Sequence, residues 1–166
     1  IDPYYDTFWN DINEKNGILR YYETTLNNVN LGADFDVYGH IDYIIRYTPK
    51  MKQLKSQGIV DDTYIDRLTS DSMDIIEQIL KTLIYNGKGI EINTAGFKYG
   101  LGHPNPHEKI LKLYRELGGE IITIGSDAHE CKHLAYDFEK VPEILKKCGF
   151  RYYSEFTDRK AEMIKI

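Results

Sequence analysis

No run of this 166-residue chain approaches the roughly 20 apolar residues a membrane-crossing helix needs, and no signal peptide is visible. Positive charge is also scarce. Lys and Arg number 21 against 26 Asp and Glu, for a net charge of −5. Such a chain carries no basic footprint for nucleic acid, and acidic membranes are poor partners for it. Two cysteines, Cys131 and Cys148, make no disulfide framework. Cys131 has no C-x-x-C partner and reads as an ordinary cytosolic thiol. No Ser nucleophile motif, P-loop or dinucleotide fingerprint is present, since Gly100-Leu101-Gly102 lacks the spacing and the strand-to-helix setting. An initiator Met is missing too: the chain opens Ile1-Asp2-Pro3 and reads as the C-terminal part of something longer. The expectation is a cytoplasmic protein with no membrane partner.

What the chain does contain fits one folded domain over residues 1–166, with 42% apolar and 28% charged residues. Its 14 Tyr suit half-buried strands and helix faces. Periodicity predicts a helix from Tyr4 to Val29 with a break at Gly17, then a strand over Phe35 to Tyr38. A long helix follows from Asp61-Asp62, burying Ile65, Leu68, Ser72, Ile75, Ile76, Ile79, Leu80 and Leu83 and ending at Gly87. Gly89 to Asn93 reads as a strand and Thr94 to Pro104 as a Gly-rich loop. Asn105-Pro106-His107-Glu108 has the makings of a helix start, with Asn as cap, Pro at the first position and Glu reaching back. That helix stops at Gly118-Gly119. A strand over Ile121 to Ile124, a helix over Phe138 to Lys147, and two strands, Phe150 to Phe156 and Ala161 to Ile166, complete the chain.

Strand and helix in alternation mark a parallel sheet or barrel, whose site lies at the carboxyl ends of the strands. Three successive strands here end in polar groups: His40 with Asp42, Asn93, and Asp127 with His129. A full (β/α)8 barrel takes ~250 residues. The chain holds only about four such units, so it is a small open sheet or part of a barrel.

Ser126-Asp127-Ala128-His129 closes the β-branched run Ile121 to Ile124, with Gly125 letting the backbone turn. Ser and Asp both cap helices, but capping gives no reason for the His, and Asp with neutral His suits a divalent metal. In Gly39-His40-Ile41-Asp42, His40 would be a ligand, with Asp42 orienting it or a neighbouring group. Alone, a strand-end His bonded to a loop carbonyl is the commoner case; beside 127–129, metal binding is favoured. Glu91 inside a strand requires either an internal ion pair or a polar mouth. Lys98 is a solvated surface Lys or a point charge for a phosphate. His103 and His107 read as loop and helix-start residues, and His133 as exposed.

Taken in order, Phe35 to Ile44, Glu91-Ile92-Asn93-Thr94 and Ile124 to His129 resemble the polymerase-and-histidinol-phosphatase (PHP) superfamily, most of all its histidinol-phosphatase branch, from Tyr21 onward. The resemblance implies an α/β fold, part of a distorted (β/α)7 TIM-like barrel with the N-terminal βα units missing. It implies phosphomonoester hydrolysis by a metal-activated water, with L-histidinol phosphate as substrate in histidine biosynthesis. Carried over by position, His40, Asp127 and His129 are metal ligands of a multinuclear Zn, Mn or Fe centre. Lys98 then stands near the substrate phosphate and Asn93 near the substrate pocket. The family's first motif, a His-x-His, is absent, since no His precedes His40. The resemblance therefore implies a C-terminal portion, inactive alone, whose partner is the missing N-terminal part of the same barrel. Two other readings stand beside it: a PHP phosphoesterase acting on nucleotides or nucleic acid, and a non-catalytic binding domain.

Overall fold

Residues 2–166 are described in a computed structural model, built around a short parallel sheet. Its strands are β1 (Val37–Tyr38), β2 (Gly89–Asn93) and β3 (Ile122–Gly125), in the order β1-β2-β3. Ile90 pairs with Ile122 and Asn93 with Gly125, so the carboxyl ends of β2 and β3 lie level. Ile90 and Ile92 share one face of β2 and are buried in the core, while Glu91 and Asn93 point to the other face. Helix α1 (Glu14–Asn30) packs on a later helix, α4 (Met73–Tyr85), which in turn packs on α6 (Glu108–Glu116). Tyr22, Ile76, Ile79, Leu80, Ile110 and Ile122 form the centre of the resulting core. Among the described residues, no helix is long and apolar enough to cross a membrane.

Several boundaries differ from the expectations. Gly17 does not break a helix. It lies in the first turn of α1, which Asn13 caps by accepting the Asn16 N–H at 2.9 Å. The missing side chain makes room for Trp9, whose ring would lie 2.6 Å from a Cβ there. The long helix from Asp61 is two helices, α3 (Asp62–Asp71) and α4, divided at Ser72. Ser72 donates its hydroxyl to the Leu68 carbonyl at 2.9 Å, the local bonding by which Ser competes with the helix ladder. Around Pro49 the chain forms α2 (Pro49–Ser56), capped by Thr48 and opened by the Pro.

The loop after β2 contains one helical turn, α5 (Ala95–Lys98). Asn105 caps nothing. Its backbone pairs with Asn93, N to O at 2.6 and 2.8 Å, and the cap of α6 falls to His107, whose Nδ1 accepts the Lys109 N–H at 3.2 Å. The helix read over Phe138 to Lys147 is a 3-10 turn, Phe138–Lys140, followed by α7 (Val141–Lys147). The last strands, β4 (Tyr152–Thr157) and β5 (Lys160–Lys165), form a separate antiparallel hairpin. Asp158 and Arg159 turn it with φ of 49° and 63°, the left-handed pair that a two-residue hairpin loop requires.

Candidate active site

The ends of the parallel strands deliver His40, Asn93, Asp127 and His129 to one side of the sheet. His40 and Asp127 both sit in the left-handed region, with φ of 33° and 47°. Such conformations persist only where surrounding contacts impose them, and they cluster at functional sites. Asp127 is held on both sides. Its Oδ1 lies 3.3 Å from His129 Nε2, and its Oδ2 accepts from Arg46 Nη1 at 3.0 Å. Burial raises the Asp127 pKa, but the hydrogen bond and charge of Arg46, aided by His40 and His129, outweigh it and hold the carboxyl below its usual range. His129 itself is 80% exposed, and His40 stacks on Tyr43 with ring centres 5.2 Å apart. The expected ligands are thus only partly assembled. Asp127 and His129 meet, whereas His40 stands apart on Tyr43. Among the described residues, no three His, Cys, Asp or Glu stand close enough to grip a metal ion together.

Sequence reasoning missed Arg46, whose side chain is fully buried. Its Nε donates to Asn105 Oδ1 at 2.6 Å and its Nη2 to Asn93 Oδ1 at 3.4 Å. The guanidinium lies over the rings of Tyr43 and Tyr99, 5.5 and 4.9 Å from their centres. A single charge in the stretch Tyr43-Ile44-Ile45-Arg46-Tyr47 was the available signal, since a buried charge requires partners. Asp42 anchors the far side of the network. It accepts from Asn105 Nδ2 at 2.5 Å and from the His107 backbone N–H at 2.8 Å, so it orients this loop rather than His40.

Asn93 is buried within the same network. Its Oδ1 also accepts the Ala95 N–H at 2.9 Å, and its Nδ2 donates to Glu91 Oε2 at 2.9 Å. That bond, not an ion pair, is what Glu91 finds. The Glu91 carboxylate lies across Gly125, where a Cβ would collide with it. Gly125 therefore supplies space and not a turn; the turn residue is Asp127.

Lys98 is half-buried, not solvated, and donates to the Asp127 carbonyl at 3.2 Å. Lys55 stands 4.6 Å from the centre of the Tyr99 ring. Burial, then the charges of Arg46 and Lys98, pull the Lys55 pKa below its usual value. Arg46, Tyr47, Lys52, Lys55 and Tyr99 line an open cavity of about 620 Å³. Lys52 pairs with Asp6 in the same wall and Arg46 with Asp127, so among the described residues Lys55 and Lys98 are the nearby cations with no carboxylate partner, which suits an anion. His133 is half-buried rather than exposed, with its ring edge-on to Tyr136. Cys131 is exposed.

No family model matches the chain. A Thermotoga maritima protein named "Probable histidinol-phosphatase" is 41% identical over 116 residues, 67% of this chain and 49% of that protein. The chain is a relative of the histidinol-phosphatases. A second relative, the histidinol-phosphatase of Lactococcus lactis, is 28% identical over 134 residues, 78% of this chain and 43% of its own. The chain thus spans about half the length of the curated relatives it matches. Among solved structures, histidinol phosphate phosphatase from Lactococcus lactis, complexed with zinc, L-histidinol and phosphate, superposes with a TM-score of 0.70. It is 24% identical, and the match covers 93% of this chain and 54% of that one, so the two share a fold. The name these relatives carry, histidinol-phosphatase, is that of the branch the motifs resemble.

Proposed function

We propose that this chain carries part of the active site of a cytoplasmic, metal-dependent phosphomonoesterase that converts L-histidinol phosphate to L-histidinol. On this reading, residues 1–166 are one domain, part of a distorted (β/α)7 barrel whose other part supplies the remaining ligands. The observation that carries it is Asp127, held at positive φ with Arg46 on one carboxylate oxygen and His129 against the other. A relative named for this activity and a shared fold with a zinc-bound phosphatase support it.

The donor set fits divalent Zn, Mn or Fe in kind: a carboxylate kept ionised and imidazole nitrogens. His40, Asp127 and His129 would be this chain's contribution to a multinuclear centre, although they do not complete a cage here. When bound, such ions lower the pKa of a coordinated water and neutralise phosphate oxygens. Arg46, closed to solvent, would hold the Asp127 carboxylate in place, and Lys98, which touches the Asp127 carbonyl, would hold the ester's phosphoryl oxygens. Asn93 and Asn105 keep the Arg46 fork at fixed angles, and Asp42 fixes Asn105 in turn. In this reading Asn93 is a positioning residue that acts through Arg46.

Mixing the chain with the half of the Thermotoga maritima relative that it does not match, in the presence of Zn or Mn, tests the proposal. Inorganic phosphate release from L-histidinol phosphate is expected from the mixture, with either piece alone inert and Asp127→Ala lowering kcat at least 100-fold. Faster hydrolysis of a nucleoside monophosphate, or turnover indifferent to Asp127→Ala, would overturn it.

A further inference from the structure

The loop between β2 and α6 holds a second group of side chains that takes no part in the site above. His103 is only 6% exposed. Its Nδ1 lies 2.6 Å from the Pro104 carbonyl oxygen, a contact that only a donated N–H makes favourable, so the ring proton resides on Nδ1. Nε2 is then a bare lone pair, buried and, among the described residues, without a hydrogen-bond partner. Buried acceptors left in this state are rare and call for an explanation. Metal-ligating imidazoles have the same arrangement: one nitrogen donates to a backbone carbonyl, and the other points its lone pair at the ion.

The surroundings supply the rest of a ligand set. His103 borders an open cavity of about 460 Å³ whose wall also includes Asp62, Asp66, His107 and Glu108. The His103 and His107 rings meet edge-on with centres 4.5 Å apart. His107 Nδ1 accepts the Lys109 N–H, which leaves its own proton on Nε2. Ligation through Nε2 requires that proton to move to Nδ1, which gives up the bond accepted there from the Lys109 N–H. Glu108 Oε2, 4.0 Å from Nδ1, is the nearby acceptor for the resulting N–H. Asp66 is half-exposed and, among the described residues, paired only with Lys109 at 2.6 Å, so its carboxylate can swing. This cavity shares no lining residue with the one beside Arg46.

We propose that His103 and His107 are the imidazole pair of a second divalent-cation site, for an ion such as Zn²⁺ or Co²⁺, completed by Asp66 and water. Imidazole nitrogen selects these ions over Mg²⁺ or Ca²⁺. No three of these groups are yet gathered round one point, so the cage closes on the ion, and binding is weaker than at a prebuilt structural zinc site. The inference does not rest on the phosphatase reading.

Residue-resolved NMR of the ¹⁵N-histidine-labelled chain during a Zn²⁺ titration is the test. In the metal-free chain, His103 should be the Nδ1–H tautomer and neutral His107 the Nε2–H tautomer. One equivalent of Zn²⁺ should shift the Nε2 resonances of both and move the His107 proton to Nδ1. His107→Gln should weaken this binding at least tenfold, and Asp66→Asn should weaken it by less, with unchanged circular dichroism. Co²⁺ should give the d–d absorbance of a low-coordinate site, and Mg²⁺ should leave both residues unmoved. Zn²⁺ that shifts His129 while leaving His103 and His107 unmoved would overturn the proposal. So would a His103 Nε2 already protonated in the metal-free chain, or occupancy by a simple amine with no response to Zn²⁺.

Discussion

Two arginines tie distant parts of this chain together, and the one with more hydrogen bonds is the less important. Arg159, in the hairpin turn, makes four to Asp34 and Asp36 at 2.7–3.1 Å. Arg46 makes three, to Asn105, Asp127 and Asn93, and one of those is 3.4 Å long. Burial reverses the order suggested by counting. Arg159 is 53% exposed and Asp34 79%, so water replaces either partner readily, whereas the Arg46 side chain is closed to solvent. Arg46 therefore decides where two strand ends and the α6 loop sit, while Arg159 fastens an outer hairpin to the approach to β1.

Removing Arg46 should have the largest effect. Arg46→Met should lower unfolding free energy by about 3–5 kcal/mol, because Asp127 and two Asn carbonyls lose a buried partner at once. Urea denaturation measures it, and a loss below about 1 kcal/mol would show that the network is incidental. Next in size is Gly125→Ala, which drives a methyl into the Glu91 carboxylate. A loss of about 1–3 kcal/mol is expected, and most of it should vanish in a Glu91→Ala background, where the clashing group is gone.

These two residues also show where the sequence was legible and where it was not. Strand β2 could be read to the residue because its apolar run is bounded locally, by Gly87 and Asn93. Asp127 and His129 could be paired because they are two residues apart. Arg46 was invisible as a site residue because its partners lie 47, 59 and 81 residues away. Asn105 misled for a related reason. Its local pattern is that of a helix cap, but pairing with Asn93 and the Asp42 carboxylate outweighs one capping bond. Ser72 fits the buried face by spacing, yet the helix divides there. Space-filling roles such as Gly125 under Glu91 depend on the register between strands, which one strand's sequence does not contain.

The two cysteines repeat the contrast on a smaller scale. Cys131 is exposed, while burial pushes the Cys148 thiol up to about 11. At pH 8 the thiolate fraction of Cys148 is then on the order of 10⁻³. Ellman's reagent should titrate one thiol rapidly in the folded chain and the second only at the rate of unfolding. Two rapid equivalents would mean that the packing of α7 on α6 opens freely.

The smallest effect is expected at Arg159, where its charge and hydrogen bonds hold the Asp34 and Asp36 carboxyls below their usual range. Depressed carboxyl values contribute stability above the ordinary carboxylate pKa, and that contribution is lost as pH falls through the lowered folded values. Arg159→Ala should therefore leave the urea midpoint within error of the parent at physiological salt, where surface charges are screened. At low salt and neutral pH a small deficit should emerge, and it should close again as the solution is acidified below the carboxylate range. A deficit that persists in acid or in high salt would place the contribution of Arg159 in packing of the hairpin rather than in its charge, and would bring the two arginines closer in kind than their burial implies.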